Sequence, residues 1–162
     1  MRFSSLVSTP GALLALCLAI TATAAPAPAF TLPDANGQPV TLADFEGKVV
    51  YVDFWASWCK PCRKSFPWMS ELQARYQDEG LVVIAINLDE ERSEADRFIS
   101  TLDPQFSIVF DQQASSAGAF GVRGMPSSYL IDQRGELISR HIGFRDAEKA
   151  DIEARVRELL EL

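Results

Sequence analysis

This chain of 162 residues is poor in most of the groups that do chemistry: it has one histidine, three cysteines and no block of lysines and arginines. A structural zinc site takes four nitrogen or sulfur ligands, and His141 is the only imidazole available. No metal or other cofactor is therefore expected. The formal net charge is −7. An acidic chain without a basic cluster is poorly suited to nucleic acid or to an anionic membrane surface. It has no internal repeat and no composition break that would divide the fold into two domains. It also lacks an apolar run of the roughly 20 residues that a membrane-spanning helix needs.

The N-terminus has the features of an export signal. Arg2 supplies the positive start, an apolar stretch runs from Ala12 to Ile20 after Pro10-Gly11, and Ala22-Thr23-Ala24 offers small residues for cleavage. Residues 1–24 are thus read as a signal peptide, with an uncleaved anchor as the alternative, and the protein as periplasmic or otherwise exported. Cys17 lies inside the apolar stretch. Lipid attachment is its functional reading, but Leu16 stands where a small residue is wanted, so Cys17 is expected to leave with the signal. Ala25 to Ala29 (APAPA) reads as a short, extended linker that does not pack. Residues 30–162 are then one domain, large enough for a proper core.

That domain retains two cysteines, Cys59 and Cys62. Export makes a disulfide possible, but a bridge stabilises more the longer the loop it closes. Two enclosed residues suit switching better than stapling. Half of a zinc site and an inert bridge are the competing readings, and both fit the spacing and the single histidine badly.

The surrounding pattern alternates between strand and helix. Phe30 to Leu32 and Val40 to Leu42 flank an Asn36-Gly37 turn, and Lys48 to Trp55 reads as a buried central strand. Pro61 fits the first turn of a helix whose apolar face is Phe66, Met69, Leu72 and Tyr76. Trp68 falls off that stripe and is expected to be half exposed. Leu81 to Leu88 is a second strand. Ser93 to Asp96 resembles a capping box that opens a helix through about Thr101. Phe106 to Phe110 is a third strand and Ala114 to Phe120 a short helix. Ser128 to Ile131 and Glu136 to Ile142 form a hairpin around Asp132 to Gly135, and Asp146 caps a last helix carrying Ile152, Val156, Leu159 and Leu160. The sum is a three-layer α/β fold with a central mixed sheet between helices.

A thiol reacts as its thiolate, and Cys59 has three features that favour that form. It sits at a helix N-terminus, Cys62 supplies an S–H or N–H nearby, and Lys60 adds positive charge. Cys62, one turn into the helix, is expected to be the more buried partner. Cys59 then attacks a disulfide and Cys62 resolves the mixed disulfide.

"VDFWASWCKPC" (Val52 to Cys62) resembles the active-site strand and helix of thioredoxins, and "VRGMPSSYLID" (Val122 to Asp132) the segment with their cis-proline. Pro67 matches a proline that kinks the same helix. Together with "FTLPDANGQPVTLADFEGKVVYV" and the signal, these motifs resemble the exported TlpA/ResA group of thioredoxin-like disulfide reductases. The resemblance covers about residues 30–162. It implies a cis bond before Pro126, with the Met125 backbone pairing with the partner chain. It also implies that Asp53 takes up the proton of Cys62, although many members of the exported group carry Asn there. Glu90 stands roughly where some members place an active-site glutamate; a solvated loop is the competing reading. Trp58 is expected to shield the thiolate and face partners, Trp55 to lie in the core, and His141 to be structural.

The resulting expectation is a monomeric, exported protein-disulfide reductase. Its partners would be disulfide-containing exported proteins, apocytochrome c and copper-site assembly proteins among them, with a membrane thiol donor upstream. Three rivals are weaker. Thiol peroxidases place Thr or Ser where this chain has Ala56, and copper carriers on this fold use a wider cysteine spacing with a placed His. A disulfide-forming oxidase is left open by Lys60-Pro61.

Overall fold

The structure is a computed structural model that describes residues 25–162; the signal assigned to residues 1–24, with Cys17, lies outside it. Its centre is the strand foreseen at Lys48 to Trp55. Eight strands are formed among the described residues: β1 (Ala25–Pro26), β2 (Thr31–Pro33), β3 (Pro39–Thr41), β4 (Val49–Trp55), β5 (Leu81–Asn87), β6 (Ser107–Phe110), β7 (Ser127–Ile131) and β8 (Glu136–Ile142). Six of them make one mixed sheet in the order β1-β8-β7-β4-β5-β6, and β2 and β3 pair as a separate hairpin. The β4–β5 and β5–β6 pairs are parallel, whereas β4–β7 and β7–β8 are antiparallel. Four α-helices among the described residues complete the layers: α1 (Cys62–Tyr76), α2 (Arg92–Leu102), α3 (Ser115–Phe120) and α4 (Lys149–Leu159). The expected three-layer α/β architecture is the one formed.

All seven residues of β4 are buried, because the strand is covered on both faces. Its alternation splits the core in two. Val50, Val52 and Phe54 point to one side with Ile84, Ile86, Phe120, Tyr129 and the N-terminal Phe30 and Leu32. Val49, Tyr51 and Trp55 point to the other with both cysteines, Phe66, Met69, Leu72 and Phe98. Asp53 shares this second side by strand parity. Trp55, expected in the core, is fully enclosed and packs on Phe66 and Phe98, each with ring centroids 4.8 Å away.

Several expectations are corrected. Trp68 is buried, not half exposed: it packs edge-on against Tyr51 at 5.9 Å and against Phe144 at 5.5 Å. Its flank of α1 is covered by the chain leaving β8, a long-range contact invisible to helical periodicity. Ala25–Pro26 is no free linker, since it pairs with Leu137 and Glu136 at the sheet edge, and the Ala27 N–H donates to the Gly135 carbonyl (2.9 Å). The capping box is not used. Helix α2 starts at Arg92, one residue before Ser93, and no side chain caps it. Asp146 begins a 3-10 turn, Asp146–Glu148, that precedes α4. The Asp132 hairpin forms as foreseen: the Asp132 carboxylate accepts the N–H groups of Arg134 and Glu136, both at 2.9 Å.

Candidate redox site

The C-terminal end of β4 runs into a tight turn that carries both cysteines to the start of α1. Cys59 and Cys62 are joined by a disulfide (S–S 2.02 Å, Cα–Cα 5.3 Å). The Cys62 N–H donates to Cys59 Sγ at 3.2 Å, so the first turn of the helix directs a donor at that sulfur. Lys60 and Pro61 are exposed between the two cysteines, and Pro61 is the N-cap residue of α1. The expected difference in burial is small: Cys59 is 4% exposed and Cys62 fully enclosed. Both cysteine residues are thus buried in the oxidised form.

The second motif comes to the same place. The Met125–Pro126 peptide is cis, and Met125 packs on the cluster that contains both cysteines. Two hydrogen bonds fix this loop: the Gly143 N–H donates to the Pro126 carbonyl (2.8 Å), and Ser127 Oγ donates to the Gly124 carbonyl (2.6 Å).

Trp58 is 70% exposed immediately beside the disulfide. It shares a hollow of about 380 Å³ with Ser57, Asp89, Glu90, Glu91 and Glu94. Glu90 is therefore at the rim of the site, exposed, with its carbonyl accepting from Gln112 Nε2 at 2.7 Å. His141 is half buried on β8, opposite Ser128.

On the same side of the sheet as the cysteines lies Asp53, 2% exposed, with its Oδ2 buried and unpartnered. Burial pushes its carboxyl well above the usual carboxylate range. Tyr51, two residues earlier on the same face, is raised as well, first by burial and then by the charge of Asp53. No Lys, Arg or His is buried among the described residues, so no enclosed cation offsets this carboxyl.

Asp89 was not foreseen. It is buried at the end of β5, and its carboxylate accepts the Ser57 N–H (2.9 Å), the Ser57 hydroxyl (3.0 Å) and Asn87 Nδ2 (2.7 Å). It thereby ties the turn before Trp58 to the neighbouring strand. The available signal was the acid closing "AINLD", where Glu90 next to it drew attention instead.

Residues 22–156 match the Redoxin family. The chain is 34% identical over 125 residues to the thiol-disulfide oxidoreductase ResA of a Bacillus cereus strain, covering 77% of this chain and 72% of that one. Among solved structures, a putative thiol:disulfide interchange protein DsbE from Chlorobium tepidum superposes with a TM-score of 0.82 at 44% identity, over 85% of this chain and 96% of its own. The exposed lipoprotein thioredoxin Etrx1 of Streptococcus pneumoniae gives 0.71 at 29% identity, over 82% of this chain and 100% of its own.

Proposed function

The chain belongs to the Redoxin family and is a ResA-type thiol–disulfide oxidoreductase, and on that premise we propose that it works as an exported reductant of protein disulfides. The observation that carries this reading is the Cys59–Cys62 bridge at the start of α1, packed with Met125 of the cis-proline loop.

The cycle begins with the reduced pair. The Cys59 thiolate, favoured by the Cys62 N–H and the helix N-terminus, attacks one sulfur of a partner disulfide, and the other partner sulfur leaves as a thiolate. Asp53 accepts the proton of Cys62, whose thiolate attacks Cys59. The second partner sulfur departs and the Cys59–Cys62 disulfide forms. Two electrons pass to the partner, and a membrane thiol donor restores the pair. Trp58 and the Met125 backbone flank the partner chain. Glu90 and its neighbours on the Trp58 side give that flank an acidic rim. The lone His141 takes no part in the exchange.

Export rests on the sequence features of residues 1–24, which lie outside the described residues; among those that are described, no helix is long and apolar enough to cross a membrane. Cytochrome c maturation, with apocytochrome c as the substrate, and copper-site assembly are the two roles that suit such a reductant.

The deciding experiment is the reduction potential of the Cys59–Cys62 pair. A value near thioredoxin's roughly −270 mV supports a reductant, and one near roughly −120 mV makes the protein an oxidant.

A further inference from the structure

The Asp89 carboxylate is buried, and each group that donates to it is neutral. Its Oδ2 accepts the Ser57 N–H (2.9 Å) and Asn87 Nδ2 (2.7 Å), and its Oδ1 accepts the Ser57 hydroxyl (3.0 Å). Ser57 stands inside the turn that the Cys59 N–H closes on the Ala56 carbonyl (3.0 Å). The carboxylate is thus fixed to the turn that presents Cys59, and the two-residue spacing puts it on the order of 10 Å from that sulfur. The cations nearby are engaged elsewhere or lie in water. The Arg63 guanidinium covers the Phe98 ring at 4.6 Å and donates to Thr101 Oγ1 (3.2 Å). Arg97 pairs with Glu94, and Lys60 is exposed. The other acids of the Trp58 hollow, Glu90, Glu91 and Glu94, are exposed, and on β4 burial holds Asp53 protonated.

We propose that Asp89 is a positioning residue that also sets the poise of the redox pair: its charge, held at the turn without a counter-ion, disfavours the Cys59 thiolate and makes the dithiol a stronger reductant. This deepens, and rests on, the reading of the chain as a dithiol reductant. The physical reason is a balance. The Cys62 N–H and the start of α1 favour the thiolate. A pair whose reduced form is strongly stabilised becomes an oxidant, and a fixed negative charge pulls the other way. At this separation, in a partly buried setting, one unit charge changes the thiolate equilibrium by about tenfold. Exposed Glu90, Glu91 and Glu94 are solvated and screened by salt, so their share is small. Asp89 exchanges no electron and no proton in the cycle. It biases the equilibrium in which two electrons leave the dithiol for the partner and the Cys59–Cys62 bond forms.

The test is the reduction potential at pH 7, by equilibration with a glutathione buffer, together with the Cys59 titration followed by thiolate absorbance. The wild type is compared with Asp89→Asn, Asp89→Ser, Ser57→Ala and a triple variant, Glu90→Gln with Glu91→Gln and Glu94→Gln. Asp89→Asn keeps an acceptor for the Ser57 N–H and loses the charge. Asp89→Ser is a second neutral side chain, should the amide of the first sit badly against Asn87 and unfold the protein. Both should favour the reduced form by about tenfold, about 30 mV upward, and Cys59 should titrate at lower pH. Ser57→Ala loosens the turn by one hydrogen bond but keeps the charge, and its equilibrium should stay within about twofold of the wild type, as should that of the triple variant. A wild-type value in the oxidant range would defeat the reductant reading yet leave the difference between variants standing. A folded, neutral Asp89 variant that shifts by less than about threefold, or moves downward, overturns the proposal. So does a triple variant, or Ser57→Ala, that moves as far as Asp89→Asn.

Discussion

Asp89 and Ser57 make the contact that joins the redox turn to the sheet: one buried carboxylate accepts both the backbone N–H and the hydroxyl of Ser57, 32 residues away in sequence. The turn that delivers Trp58 and Cys59 is thus held by a side chain two residues past the end of the adjacent parallel strand β5, with Asn87, the last residue of that strand, bracing it.

Asp89→Ala should therefore cost stability and precision together. It orphans the Ser57 N–H and the Asn87 amide, a loss of about 2–3 kcal/mol at the usual cost of unmade buried hydrogen bonds. Chemical denaturation reads the first effect. Reduction of a folded protein disulfide, expected to slow by about tenfold, reads the second. Unchanged stability would mean that the turn holds itself.

The cysteines should divide their labour. Cys62→Ser is expected to accumulate a mixed disulfide through Cys59, and Cys59→Ser to lose reduction of any disulfide. A non-reducing gel with mass mapping distinguishes them. Trapping through Cys62 in the Cys59→Ser protein would reverse the roles.

Asp53 should make the protein less stable as pH rises. Burial holds its folded-state carboxyl protonated above the usual range, while the unfolded chain gives up that proton near about pH 3.9. Above that point the folded state binds more protons than the unfolded, so stability falls with rising pH until the buried group ionises too. Asp53→Asn should remove this slope and gain about 1–3 kcal/mol at neutral pH, while slowing mixed-disulfide resolution. A variant that is less stable than the parent at pH 7 contradicts this reading.

Trp58 is expected to matter to partners and hardly at all to folding. Being 70% exposed, Trp58→Ala should change stability by no more than about 0.5 kcal/mol. KM for a protein disulfide should rise by about tenfold, roughly 1.4 kcal/mol, with a small disulfide reduced at the parental rate. Equal losses on both substrates would assign Trp58 to the thiol chemistry.

What the sequence disclosed follows from how local each signal is. The CxxC pair, the apolar strands and the Asp132 hairpin are short-range patterns, and each was legible. So was the cis-proline segment, though only through its likeness to a known family. Burial of Trp68 depends on Phe144, far along the chain, and helical periodicity carries no word of it. The same holds for Asp89, whose importance appears only when β5 lies beside β4. The APAPA segment misled because proline suggests a free linker; here Pro26 sits on an edge strand, where a missing N–H is tolerated. Ser93 misled because the helix begins one residue earlier, at Arg92, which puts Ser93 inside the first turn and Glu91 at the N-cap.

The placement of β4 has a further consequence. It is flanked by hydrogen-bonded strands on both sides and covered on both faces, so its amides should exchange with deuterium only through global unfolding. The redox turn is the direct continuation of this most protected segment. A protein that must repeatedly make and break a covalent bond to its partner thus anchors that bond in the part of its backbone slowest to open. Pulling or prying by a bound substrate acts against the whole cooperative unit and not against a loop.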